Sequence, residues 1–524
     1  MDNAKRTIYT HIPISARRFF LLALSFMLIS SCNYEFPIVP EDELPTFETA
    51  DLSNVVFIGS SAFSGITDGV LVPNTSLRSI PQIFMNNLLK NDLSIDLSAT
   101  SDNQIGFNIY ENSDLMGDMG PYRIQYASSA DTTFIQKPIE GETHSYLPEN
   151  DSLRNFSFPQ AQLLDFTENN RSENPFLADY FNNSNNSILD QIIDESPSFF
   201  VIDLGFEGLM GYAFNGAEGD ESSTNLMQSA YEDVLDPALF EQKLSEMTDA
   251  LLANNSEAKG VLFNIPSFLN YPFFNMSDYD ITPYICTPNT LNIACAPKAS
   301  YNTAKTASVE FNRKQTEFYL ANPQIPFAER RLGIHFDLDS PFTWGVIVED
   351  NDLPDVIYQG EPLPRVRQMF RDEIIFYRNE YKLGDSKGHL PTNALTERDY
   401  LKVEDIERIE AQIQAYNQAI ASVVSQSDGR LVLFDYNAYF DVLFSGLDNF
   451  LDLAADGELL EGAPFLPILG RFGIFSADGI NLNPRGNALI TNQLIETINE
   501  GFGGNLKKVN PNDFAGTQSI LSGN

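Results

Sequence analysis

The sequence predicts an α/β domain with a parallel sheet covered on both faces. Three observations carry this. Short apolar runs rich in β-branched and aromatic residues alternate with amphipathic helical patterns. The runs are apolar throughout rather than alternating, as strands buried on both faces are. The composition, 43% hydrophobic and 20% charged over 524 residues, supplies a sizeable core.

Four runs read as buried strands: Val55-Val56-Phe57-Ile58, Phe199-Phe200-Val201-Ile202, Val261-Leu262-Phe263-Asn264-Ile265 and Leu431-Val432-Leu433-Phe434. Between them, Asp236-Pro237 has the form of an N-cap followed by proline at the first helical position. Phe240, Leu244, Met247 and Leu251 continue it as an apolar stripe. Ile406, Ile409, Ile413 and Ile420 mark a second helix over about 403–424. Asn483-Pro484 opens a last helix carrying Ile490, Leu494 and Ile498, with Gly501 expected to close it. The spacing between strands exceeds that of a minimal doubly wound domain. Segments near 91–185, 267–300 and 322–400, rich in Asn, Ser, Pro and aromatics, are therefore expected as insertions into a domain spanning 51–510, with 511–524 as a tail.

The amino terminus has its own logic. Lys5, Arg6, Arg17 and Arg18 precede a mostly apolar run over 19–29, too short to span a bilayer and suited to a signal-peptide core. It ends in Ile29-Ser30-Ser31-Cys32, which resembles the bacterial lipoprotein signal. That resemblance implies removal of residues 1–31 and a membrane anchor through acylated Cys32. Residues 32–50, with Pro37, Pro40, Glu41, Asp42, Glu43 and Pro45, read as an acidic, extended tether.

A net charge of −40 argues against a nucleic-acid partner, whose phosphates need Lys and Arg. No Cys/His spacing suggests a metal site, and no cofactor is expected. After Cys32 only Cys286 and Cys295 remain, and the sequence leaves open one short-loop disulfide or two free thiols.

Chemistry in such a sheet sits beyond the carboxyl ends of the strands. The first end reads Gly59-Ser60-Ser61-Ala62-Phe63-Ser64-Gly65, followed by Ser79-Ile80-Pro81. Asn155-Phe156-Ser157-Phe158-Pro159-Gln160-Ala161, the stretch from Phe199 to Ala213, that from Gly260 to Phe273, and Ser476 to Gly486 follow in order. These five blocks together resemble the SGNH/GDSL-type ester hydrolases, closest to a lipoprotein branch found in Bacteroidota. The resemblance runs through nearly the whole chain after residue 32 and implies the flavodoxin-like, three-layer fold of that family. It places Ser61 at the nucleophile, Ser157 and Glu207 at oxyanion-hole positions, Asp478 at the acid and Asn481 at the histidine.

The departures carry the functional expectation. A serine nucleophile needs a base, usually an imidazole, and an amide at Asn481 cannot take its proton near neutral pH. Asp478 then has nothing catalytic to orient. A Glu207 carboxylate in place of an amide donor repels a developing oxyanion by roughly 4 kcal/mol at about 4 Å and an effective dielectric near 20. Loss of a triad member costs on the order of 10⁴ or more in turnover. His144, His335 and His389 fall in no recognised block. The expected protein is a non-catalytic binding or scaffolding lipoprotein of the outer membrane, partnered by a β-barrel or accessory lipoproteins. An ester hydrolase using Ser61 in an unorthodox site, or a glycan- or lipid-binding receptor using the old cleft, are the alternatives.

Overall fold

The computed structural model describes residues 44–71, 77–90, 155–168, 187–226, 232–288, 299–336, 344–376, 386–444, 473–476 and 478–516, with short isolated segments between them. Five parallel strands form the central sheet: β1 (Val55–Gly59), β2 (Asn155–Ser157), β3 (Phe199–Asp203), β4 (Lys259–Phe263) and β5 (Leu431–Phe434). Their order is β2-β1-β3-β4-β5. This is one of the two common doubly wound orders. β1, β2 and β3 are buried along their whole length, so their apolar runs face helices on both sides.

The described helices that shape this domain are α1 (Ser61–Ser64), α2 (Ile80–Leu89), α3 (Phe206–Phe214), α4 (Pro237–Asn254), α5 (Ala299–Ala321), α6 (Val403–Ser425), α7 (Tyr436–Phe444) and α8 (Pro484–Phe502). The rule of right-handed crossovers puts α2 on one face and α4 and α6 on the other, because the chain winds from β1 out to β2 and then back through β3, β4 and β5. The packing agrees: α4 lies against α6, and α2 lies against α8. The predicted stripe of α4 is its buried face, with Phe240, Leu244, Met247 and Leu251 all in the core. Asp236 caps it, its Oδ1 accepting the N–H groups of Ala238 at 3.0 Å and Leu239 at 3.2 Å. In α6, Ile409, Ile413 and Ile420 are buried and Ile406 is partly so.

Several sequence expectations change. The 91–185 segment is not wholly an insertion, because it contains β2, a three-residue strand paired to β1 from Phe57↔Asn155 to Gly59↔Ser157. Gly501 does not close α8. The helix runs to Phe502 and stops at Gly503, whose φ of 66° is left-handed. A Cβ on Gly501 would meet Val432 at 2.7 Å, so this glycine serves close helix–sheet packing. The two later insertions are not separate. Phe268, Tyr271, Phe273 and Phe274 belong to the main core. Ile281, Ile285, Tyr301, Trp344, Val346, Val366, Leu395 and Tyr400 form a second core around α5 and short antiparallel strands.

Beside that second core, Arg367 bridges two buried carboxylates. Its Nε lies 2.6 Å from Asp350, and Nη1 and Nη2 lie 2.7 and 2.6 Å from Glu373. Lys402 reaches the same Asp350 at 3.1 Å.

Domain ends also shift. Within the expected 32–50 tether, Thr46 and Glu48 are docked, their N–H groups donating to Asn505 Oδ1 at 2.8 Å and Phe502 O at 3.1 Å. In the expected 511–524 tail, residues 511–513 form a 3-10 turn against α8, and Ala515 O accepts from Arg485 N–H at 3.2 Å. Residues 1–43, with the signal and Cys32, lie outside the described residues.

Candidate functional site

The direction of winding reverses between β1 and β3, and a cleft opens at their carboxyl ends, where doubly wound sheets bind ligands. Ser61, Gln160, Asp203, Phe206, Glu207, Met210, Tyr271, Tyr436, Asp478 and Asn481 all line it. It spans about 840 Å³, counting its open mouth.

Each side chain arrives by local geometry. Ser61 is the first residue of α1, directly past β1, so its hydroxyl is presented at the strand tip. Gly59 allows a close approach there. A Cβ at that position would meet the Phe63 ring at 2.7 Å and the Asp203 carbonyl at 3.2 Å. Past β2, Phe158 N–H donates back to Gly59 O at 3.2 Å, and Gln160, in a left-handed conformation with φ 59°, turns its own N–H onto Ser61 Oγ at 3.0 Å. Glu207 sits in the first turn of α3, and its Oε1 accepts Ser61 N–H at 3.2 Å. Gly205, φ 114°, allows that helix to start against Ile265 and Phe240.

Four of the five residues expected at the site therefore meet in one cleft: Ser61, Glu207, Asp478 and Asn481. Ser157 does not. It is fully buried in β2, its hydroxyl donating to Asn155 Oδ1 at 2.6 Å, and the backbone N–H that reaches Ser61 Oγ is that of Gln160.

The chemistry of the arrangement is restrictive. No described residue accepts the Ser61 hydroxyl proton, and Oγ takes one hydrogen bond, from Gln160. Asp478 is consumed as a turn hub. Oδ1 accepts from Ile480 N–H at 2.9 Å and Asn481 N–H at 2.7 Å, and Oδ2 accepts from Gly69 N–H and Asn481 Nδ2, each at 2.9 Å. Glu207 covers the Ser61 N–H, a group that in a serine hydrolase donates to the oxyanion.

Sequence reasoning missed Asp203, Gln160, Tyr271 and Tyr436. Asp203 ends β3 and is 6% exposed. Burial, and then the nearby Glu207 charge, push its carboxyl up to about 7. Burial also raises both tyrosine phenols well above their ordinary value, so they stay neutral. The Phe206 and Tyr271 rings lie 5.0 Å apart at the cleft wall. The signal available for Asp203 was its place, an acid at the carboxyl end of an otherwise apolar strand.

The described imidazoles are elsewhere. His335 and His389 belong to the second-core region, and His389 is buried beside Tyr284 with its pKa lowered by that burial. His144 lies outside the described residues. The backbones of 286–288 and 295–297 pair with Cys286 opposite Pro297 and Cys295 opposite Pro288. The cysteines thus occupy diagonal positions, and their side chains lie outside the described residues. Among the described residues no group of three or more His, Cys, Asp or Glu is placed to hold a metal ion, and no helix is long and apolar enough to cross a membrane. No family model, no curated protein and no solved structure matches the chain, so the reading of its function rests on the geometry of this cleft.

Proposed function

We propose that the chain is an SGNH/GDSL-like protein that binds at its cleft without hydrolysing what it holds, and that it works as a binding or scaffolding lipoprotein anchored at the outer membrane through Cys32. The observation that carries this is the state of Ser61: its hydroxyl has no base among the described residues, and a carboxylate occupies its backbone N–H. The block order, the 2-1-3-4-5 sheet and the convergence of Ser61, Asp478 and Asn481 support the family reading. The substitutions at the family's histidine and oxyanion positions support loss of turnover.

The first test is ester cleavage. Purified protein and Ser61→Ala are expected to release p-nitrophenol from acetyl and butyryl esters at the same background rate. A wild-type rate tenfold or more above that of Ser61→Ala overturns the reading and makes the chain an ester hydrolase. The scaffold role is tested by native purification from solubilised membranes, where an outer-membrane barrel or accessory lipoprotein is expected to accompany it. The retained cleft favours a second reading, a receptor for a glycan or lipid, which a ligand-dependent rise in melting temperature would support.

A further inference from the structure

The cleft is lined by two buried polar side chains with acceptor oxygens that take no hydrogen bond from the described residues. Asp203 is 6% exposed, and its carboxyl makes no hydrogen bond to any described residue. Gln160 is 5% exposed, and its Oε1 is fully buried with no hydrogen-bond partner among the described residues. Buried polar groups are ordinarily satisfied, so an orphaned Gln160 oxygen beside an unbonded, largely buried carboxyl points to something that completes them. Their placement is defined: Gln160 through its N–H and Glu207 through its carboxylate are fixed to the same residue, Ser61, at 3.0 and 3.2 Å. Asp203 ends β3, and Glu207 follows it in the first turn of α3.

The lining is one-sided in charge. Among the described residues it contains Asp203, Glu207 and Asp478 and no Lys, Arg or His. Asp478 is already filled by four donors, so the acceptors turned toward a ligand are Asp203, Glu207 and Gln160. An anion is repelled by this set. A neutral alcohol brings one donor to several acceptors and no positive charge to the carboxylates. A quaternary ammonium has no N–H to give. A metal ion lacks a ligand group among the described residues.

We propose that this cleft binds a primary ammonium group carried on an apolar body, with Asp203, Glu207 and the Gln160 side-chain oxygen accepting its N–H donors and the Phe206 and Tyr271 rings packing on its hydrocarbon part. The inference deepens the binding reading above and rests on it. The same chemistry is offered by a soluble alkylamine and by the ethanolamine headgroup of a lipid.

Proton linkage gives the site a signature. The titratable groups facing Asp203 are Glu207 from α3, Tyr271 from the turn after β4, Tyr436 from α7 and Asp478 from the last loop. Both tyrosines remain neutral. A cation favours the ionised Asp203, whose carboxyl titrates near 7 in the free protein, so apparent affinity rises on the order of tenfold from pH 6 to pH 8.

Calorimetric titration of the full-length protein with hexylammonium, hexan-1-ol and hexyltrimethylammonium tests this. Hexylammonium is expected to bind, about tenfold more tightly at pH 8 than at pH 6, with both analogues at least tenfold weaker. Asp203→Asn is expected to remove the pH dependence and weaken binding at pH 8 tenfold or more, and Gln160→Leu to weaken it several-fold, with unchanged circular dichroism. Vesicles containing phosphatidylethanolamine, compared with phosphatidylcholine alone, assign the source: selective capture supports a lipid headgroup, and hexylammonium binding without capture supports a soluble amine. Hexanol binding as well as hexylammonium, no hexylammonium binding, or affinity that is flat with pH overturns the proposal. Ser61-dependent ester cleavage would instead sink the non-catalytic reading, so the two failures are read in separate assays.

Discussion

Asp203 makes the clearest demand on the fold. Its carboxyl titrates near 7, against 3.8 for an unperturbed Asp. Between about pH 4 and pH 7 the folded state therefore keeps a proton that the unfolded chain has released, and stability falls as pH rises through that window. Above it the full cost is roughly 4 kcal/mol. Asp203→Asn is expected to raise the melting temperature at pH 8 and to leave it nearly unchanged at pH 4, as thermal unfolding followed by circular dichroism will show. Ser61, Glu207, Asp478 and Asn481 were legible in the sequence because they lie in blocks with a recognisable order. Asp203 and Gln160 were not, since an acid after an apolar run, or a glutamine in a loop, reads as an ordinary turn residue. Their meaning comes from what they fail to touch, which is a tertiary property. Ser157 misled for the opposite reason: the block was right, but the polypeptide turns outward three residues later, at Gln160.

Elements with a sustained 3.6-residue stripe were readable, and their caps with them. Asn483 shows how much one cap carries. Its Oδ1 accepts Gly486 N–H at 3.0 Å, and its Nδ2 donates to Gly473 O at 2.9 Å and Phe475 O at 3.1 Å, all at a position 1% exposed. Asn483→Ala removes the cap and strands two buried carbonyls, so it is expected to cost about 2–4 kcal/mol in chemical denaturation. The element that escaped notice is β2. Three residues give no period to detect, and its strand character comes from the β1 edge it pairs with. The end of α8 was misplaced for a related reason: Gly501 looks like a terminator until Val432 is seen packed against it.

For the molecule as a whole, the sheet order and the place of the cleft follow from the alternation of runs and helices, whereas the second core does not. Its contributors are scattered from Ile281 to Tyr400 in short, non-periodic pieces, and only folding assembles them. Arg367 sits between Asp350 and Glu373 beside this unit. Arg367→Ala leaves two buried carboxylates without it and is expected to destabilise by about 3–5 kcal/mol. Trp344, the chain's one tryptophan, is buried in that core, so its fluorescence is expected to report the loss ahead of the central sheet's circular dichroism. Coincident transitions would show a single cooperative block instead.

The docking of residues 46–49 on the far end of α8 gives the molecule a direction. That helix starts beside the cleft at Pro484 and ends at Phe502, and its 19 residues carry it roughly 28 Å at 1.5 Å per residue. On the proposed anchoring through Cys32, the leash would join the body at the end of this helix remote from the cleft. Attachment at that end would leave the mouth, a helix length away, open to neighbours or solutes arriving from the aqueous side.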